Sequence, residues 1–331
     1  MPSPTHVFDT TEAPDMTSRT DAFLEAEMGP NSGNNPPETV DVEVALESLN
    51  QWQLATKRFL RHRMALIGLA VLTIIVLIAL IGPIVAPYNP IDIPGAKEQG
   101  GDPPSLAHIM GTDDAGRDVY TNIVNGAHIS LAVGFFSTVI AGIIGVIVGA
   151  IAGAAGGFVD NFLMRVVDVT FAVPLLFLIL VAAVFFGQGS VLALILVFGL
   201  LQWGLIARLV RAQFLSLREA DFVEAARAVG VSESRITFRH ILPNALGPVI
   251  VVLTLLMASN IVLEAFVSFL NFGVSATDAT WGNALSNAQP AMGNGNWWWA
   301  FFPGMCIAMT VISINFIGDG LRDALDPRSR L

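Results

Sequence analysis

From Met64 onward, long apolar runs alternate with short polar stretches. An apolar run of about 20 residues can cross a bilayer as a helix. The pattern predicts six such spans, at residues 64–86, 129–157, 163–186, 191–210 and 245–269, and from the tryptophans at 297 to about 317. Pro83, Pro87 and Pro90 mark the exit of the first span, and Pro174 falls inside the third. In the second, Ala141, Gly145, Gly149, Gly153 and Gly157 recur every four residues. That row gives a smooth face for close helix packing, within the subunit or between subunits. A tight turn is expected at Gly187–Ser190. Ahead of the spans, residues 40–63 predict a helix with apolar Val44, Leu49, Trp52 and Phe59 and a basic end of Lys57, Arg58, Arg61 and Arg63. Such a helix suits the cytoplasmic membrane surface. Trp297, Trp298 and Trp299 are expected in an interfacial aromatic belt.

One polar island, Asp221 to Asn244, stands between the fourth and fifth runs. Asp221 is placed to cap a helix, with Glu224 reaching back as in a capping box. Gly230 falls where helices end in a left-handed turn. Ser232 can cap a second short helix, which Pro243 is expected to stop. The island thus reads as helix, glycine turn, helix, carrying Arg227, Arg235 and Arg239 and containing no catalytic set. A rigid knob between membrane spans suits docking to a partner protein.

Composition agrees with a polytopic membrane protein. Hydrophobic residues make up 53% and charged residues 13%, with a mean hydropathy of +0.64, whereas soluble domains carry about 25% charged residues. The net charge of −10 is concentrated at the start: Asp9, Glu12, Asp15, Asp21, Glu25, Glu27, Glu38, Asp41, Glu43 and Glu47 face the single base Arg19 there. Residues 1–39 therefore read as an acidic disordered tail, without the basic start and apolar run of a signal peptide. With both ends inside, all bases but Lys97 and Arg117 fall on the inner side, as the positive-inside rule requires. The island is then cytoplasmic. Cys306, the single cysteine, lies in an apolar run and reads as a buried bystander.

The polar segments resemble a known family. Glu224-Ala225-Ala226, Gly230, His240 and Leu242-Pro243 are similar to the EAA loop of permease subunits in bacterial ABC importers. Gly111-Thr112-Asp113-Asp114-Ala115-Gly116-Arg117-Asp118, in the external loop 87–128, resembles the signature preceding the second span in permeases of oligopeptide and dipeptide importers. Alone, that run would be a solvated turn with a calcium-like flavour. Arg165-x-x-Asp168 with Pro174, Glu264 with Ser268-Phe269-Leu270, Trp281-Gly282-Asn283 and the tail from Gly318 to Arg328 extend the likeness from about Ser48 to the end. Asn271 stands where the family has a small residue, usually glycine. The segment before Val40 lies outside the pattern.

The resemblance, to the C-type subunit, implies an all-α, six-helix type I ABC importer permease fold. Its core would span 129–318, with the coupling loop at 219–244 and a cytoplasmic tail at 319–331. It implies a homologous second permease completing a heterodimeric pore, two ATP-binding subunits, and an external substrate-binding protein delivering di- or oligopeptides. Relatives serving nickel chelates or oligosaccharides remain alternatives. The place implied is the cytoplasmic membrane of a prokaryote, with lipid and no nucleic acid as partners. Asp221, Glu224, Ala225, Ala226, Gly230, His240 and Pro243 would couple to the ATPases, and Gly111, Asp113, Gly116, Arg117 and Asp118 would form the external signature loop. Independently, Lys57 and Lys97 are the only lysines and neither lies in a Gly-rich phosphate loop, so ATP and Mg are expected on partner subunits. No Zn-protease, nucleophile-elbow or Gly-x-Gly-Asp run points to an enzyme, and no ligand-spaced partner makes His240 a metal site.

Ionisable residues within spans are costly and often functional. Asp168 is expected to pair with Arg165 within its helix or to face the pathway. Glu264 either lines the pore or binds a neighbouring helix. Arg208 and Arg211 are expected as interfacial anchors. An ion-coupled secondary transporter would use Asp168 and Glu264 but leaves the polar island unexplained.

Overall fold

The computed structural model describes residues 51–86, 88, 101–186 and 189–325. The acidic tail 1–39, residues 40–50 of the surface helix, Pro87, Pro90, Lys97, Gly187, Gln188 and the end of the tail at 326–331 lie outside them. Among the described residues the fold is all-α. Five helices are long and apolar enough to span a membrane, and a bent pair, counted as one span, makes six.

Helix α1 (Gln51–Phe59) leads to α2 (Arg63–Val85), the first span. His62 caps α2, its Nδ1 accepting from the Ala65 amide at 3.0 Å, while its Nε2 lies 3.5 Å from Asp323. The second span, α3 (Val119–Ala155), begins earlier than the apolar run because Asp118 caps it, accepting from the Thr121 amide at 2.7 Å. It ends at Gly156, where φ is +62°. Gly157 therefore leaves the small-residue row and opens α4 (Gly157–Ala172). The third span is bent by 80° between α4 and α5 (Leu175–Phe186). Pro174 disfavours helical geometry in the residue before it, and Val173 is indeed extended.

The fourth span, α6 (Val191–Arg218), packs parallel to α3 along the small-residue row. A Cβ on Gly145 would stand 2.5 Å from Ile206 Cβ, and one on Gly149 would stand 2.5 Å from the Ala207 carbonyl. Gly153 faces Phe214 in the same way. The row thus works within the chain, and its four-residue steps match Ile206, Val210 and Phe214 on α6. After α7 (Asp221–Ala228), α8 (Glu233–Ile236) passes through a π-turn at Thr237–Ile241 into α9 (Leu242–Phe269), the fifth span.

Pro243 does not stop the second short helix. It sits in the first turn of α9, and the helical path runs unbroken from Glu233 to Phe269. Proline cannot donate to the carbonyl four residues back, and the wider turn accommodates this as the Leu242 amide reaches the Thr237 carbonyl. Beyond α9, Asn271 is the one described non-glycine residue with a left-handed backbone, φ +61°. Asparagine tolerates that region better than most residues, which accounts for a position where glycine is expected. A short helix, α10 (Trp281–Ala288), precedes the sixth span, α11 (Trp298–Leu325).

Only Trp297 is exposed, at 55%; Trp298 and Trp299 are buried. The aromatic belt expected of all three is therefore reduced to one ring. Trp298 Nε1 donates to the Thr112 carbonyl at 3.4 Å, which ties the external loop to α11.

Candidate functional site

Helix α7 is held by a narrow apolar stripe. Val223 is fully buried against Phe214, Ile236 and Ile241, with Ala226 and Val231 half-buried beside it. Ala220, not Asp221, is the N-cap, and neither Asp221 nor Ser232 makes a side-chain cap bond. Asp221 and Glu224 instead occupy the first turn, where carboxylates favour the positive end of the helix dipole. The capping box is therefore replaced by a weaker, longer-range effect, and both carboxylates stay exposed.

The helix closes as Gly230 takes φ +81°. The Gly230 amide donates to the Arg227 carbonyl at 2.9 Å and the Val231 amide to the Ala226 carbonyl at 3.1 Å. This bond pair is a Schellman ending, with Val231 and Ala226 supplying its apolar contact. Arg227 then clamps the turn, its Nε donating to Glu233 Oε1 at 2.8 Å; that hydrogen bond holds the guanidinium above its usual range. Arg218 donates to the Gly153 carbonyl at 3.1 Å and closes the end of α3. His240 is half-buried, and its carbonyl accepts from Asn244 Nδ2 at 2.6 Å.

The outer surface of this loop carries exposed apolar side chains. Phe222, Val229 and Phe238 are 43%, 79% and 67% exposed. Asp221, Glu224, Arg235, Arg239 and Pro243 are exposed around them. The unbroken helix from Glu233 is ~55 Å long at 1.5 Å per residue, against ~30 Å of hydrocarbon, so its first turns stand clear of the membrane.

The signature loop Gly111–Asp118 is a separate, self-satisfied structure. Asp113 Oδ1 accepts from the Ala115 and Arg117 amides at 3.0 and 2.8 Å, and Oδ2 accepts from Arg117 Nε at 2.8 Å. Asp118 caps α3 and lies 3.0 Å from His108 Nδ1. Gly111 and Gly116 have φ of +77° and +78°. A Cβ at Gly111 would meet Trp298 Nε1 at 2.6 Å. These carboxylates are committed to their own backbone, so the calcium-like flavour of the run reflects turn chemistry.

Within the spans, Glu264 is fully buried and takes the helix-binding alternative. Ser130 Oγ and Ser268 Oγ donate to its two oxygens at 2.8 and 2.9 Å. Asn260, one turn below, donates to Ser137 Oγ and Thr138 Oγ1 at 3.0 and 3.1 Å and accepts from Gln202 Nε2 at 2.7 Å. Sequence reasoning missed Asn260, whose signal was its place one turn from Glu264.

Asp168 lies 3.5 Å from Arg165 in its own helix but only 2.7 Å from Arg208 of α6. Arg211 grips Asp160 with both arms of its guanidinium. Arg208 and Arg211 are thus interhelical partners and not interfacial anchors. Asp160 was also missed; its partner Arg211 lies 51 residues away in sequence.

The description "binding-protein-dependent transport system inner membrane component" fits residues 145–331. The N-terminal transmembrane domain of oligopeptide transport permease C fits residues 50–104. The chain is 38% identical to the oligopeptide transport system permease protein OppC of Bacillus subtilis, over 87% of this chain and 93% of that one. It is 38% identical to the dipeptide transport system permease protein DppC of the same organism, over 86% and 88%. Against the OppC of Escherichia coli it is 38% identical over 88% and 96%.

Proposed function

This chain belongs to the family of binding-protein-dependent transport system inner membrane components and is a permease subunit of an ATP-driven peptide importer; we propose that it forms one half of a heterodimeric pore driven through the loop 219–244. The partners in this reading are a homologous second permease, two cytoplasmic ATP-binding subunits carrying ATP and Mg, and an external binding protein. Catalysis belongs to those ATPases. Both termini are cytoplasmic, in keeping with the bias of bases toward one side.

The observation that carries the reading is the shape of the loop. Val223 and Ile236 anchor it while Phe222, Val229 and Phe238 project outward among charged side chains. Exposed apolar groups rimmed by charge are what a protein partner covers. Closure of the ATPases moves α7. The movement passes into α6 through the shared apolar cluster and into α9 through the unbroken helix. Asp221 and Glu224 set the charge of the docking helix, Ala225 and Ala226 keep it narrow, and Gly230 permits its tight ending. His240 and Pro243 shape the junction with α9. At the outer end, Gly111, Asp113, Gly116, Arg117 and Asp118 brace the start of α3 beside the face presented to the binding protein.

Affinity purification from native membranes in mild detergent tests this. Recovery of two ATPase chains and a second permease is expected, with peptide released from any retained binding protein. An intact complex repeatedly lacking ATPase would overturn the assignment of the loop.

A further inference from the structure

Helix α4 carries an exposed polar stripe. Only Asp160 and Val167 are buried along its length, and both point toward the rest of the subunit. Beside that inner face run Asn161, Arg165 and Asp168, spaced four and three residues apart, which is one stripe of a helix. A second stripe, Val159, Phe162, Val166 and Val169, is exposed and wholly apolar. The helix therefore separates two environments, and only the apolar stripe suits lipid.

Helix α6 is ~42 Å long against ~30 Å of hydrocarbon, which places these charges just inside the cytoplasmic boundary of the span. Arg208 is ~15 Å along α6 from its cytoplasmic end at Arg218, at 1.5 Å per residue. A lysine or arginine at that depth usually extends toward the nearer water surface. Arg208 does the opposite. Its guanidinium bonds Asp168 at 2.7 Å and lies over the Phe171 ring at 4.3 Å, both two or more turns farther along α4 than Asp160, the partner of neighbouring Arg211. The side chains are nevertheless open: Arg165 is 84% exposed, and Arg208 and Asp168 are each 46% exposed. Charged groups exposed within a span face a water-filled cavity or protein, because hydrocarbon offers them no solvation.

We propose that Asn161, Arg165, Asp168 and Arg208 form a polar wall of the water-filled translocation pathway, presenting both signs of charge to a zwitterionic peptide. This deepens the permease reading and rests on it. A guanidinium and a carboxylate already paired to each other can each exchange a partner for a peptide terminus without leaving a bare charge. The exposed face of Asp168–Arg208 supplies that surface. The half-buried Asp160–Arg211 pair below it holds α4 on α6 and touches no ligand.

The test uses the complete importer in lipid nanodiscs with Cys306→Ala as background. Asn161→Cys and Arg165→Cys report the polar stripe, and Val169→Cys reports the apolar one. Each is treated with a charged, membrane-impermeant thiol reagent in the nucleotide-free and ADP–vanadate-trapped states. Modification at 161 and 165 is expected in one state and about tenfold slower in the other, as pathway access alternates, with position 169 unreactive throughout. Equal rates in both states would place the stripe at the cytoplasmic surface. No reaction in either would place it against the second permease. Either result overturns the proposal. ATP hydrolysis and uptake measured on the same preparations separate this outcome from failure of the permease reading, since an active importer with unchanging labelling defeats the wall alone. Arg208→Lys is expected to retain more peptide uptake than Arg208→Gln at equal complex levels; equal losses would show that charge at this position plays no part.

Discussion

Ser130 Oγ donates to Glu264 Oε2 at 2.8 Å across 134 residues of sequence, which bolts the second span to the fifth inside the membrane. The other carboxylate oxygen accepts from Ser268 at 2.9 Å, and Ser130 Oγ also accepts from the Trp281 amide at 3.3 Å. Glu264 therefore sits at the joint of α3, α9 and the short helix α10. Glu264→Ala would strand buried hydroxyls and is expected to destabilise the subunit by about 2 kcal/mol or more. Glu264→Gln, which keeps the shape and an acceptor, should cost less. Thermal unfolding of the purified complex checks the order, and equal midpoints would remove the joint.

The Asp160–Arg211 pair makes a second prediction. Removing either partner leaves a charge of the other sign in a confined site, a loss of about 3–5 kcal/mol for a buried pair and less here, because Arg211 is 32% exposed. The exchange Asp160→Arg with Arg211→Asp should recover more complex than either half alone. Western-blot levels and co-purified ATPase measure it. Additive losses in the exchange would show that the two residues act separately.

At Gly230 the backbone, not space, is limiting. A Cβ there meets nothing within 4 Å, but φ is +81°. Gly230→Ala is expected to cost about 1–2 kcal/mol from the left-handed conformation. Gly230→Val, with a β-branched side chain, should lower peptide uptake while ATP hydrolysis continues. Normal uptake by Gly230→Val at wild-type complex levels would defeat the coupling role of the turn.

Helix contact along the glycine row gives the reverse case. Gly149→Ala would drive a methyl to 2.5 Å from the Ala207 carbonyl, and forcing apart a close-packed pair costs about 1–3 kcal/mol. Gly293→Ala, where nothing lies within 4 Å and no positive φ is present, should change stability by about 0.5 kcal/mol or less. Detergent-challenge unfolding curves of the two variants provide the comparison.

Much of the architecture was legible because the bilayer imposes a simple rule on sequence. A spanning helix must be apolar over a fixed length, so the spans, the polar island and the left-handed turn at Gly230 could be read from hydropathy and glycine placement. The peptide-permease family was legible in Glu224-Ala225-Ala226 and Gly111 to Asp118, whose motifs are local in sequence.

What the sequence by itself determined was therefore whatever depends on neighbours along the chain: helix existence, turn chemistry, and the motif-bearing loops. Only the tertiary structure decided which groups meet across the chain. It gave Asp168 to Arg208, paired Asp160 with Arg211, seated Glu264 on Ser130, and buried Trp298 and Trp299. It also carried the helix through Pro243, by way of a wider turn in which the Leu242 amide reaches the Thr237 carbonyl. The physical reason is that hydropathy is a property of one residue, whereas the fate of a buried charge or a proline is set by the partner that packing brings to it.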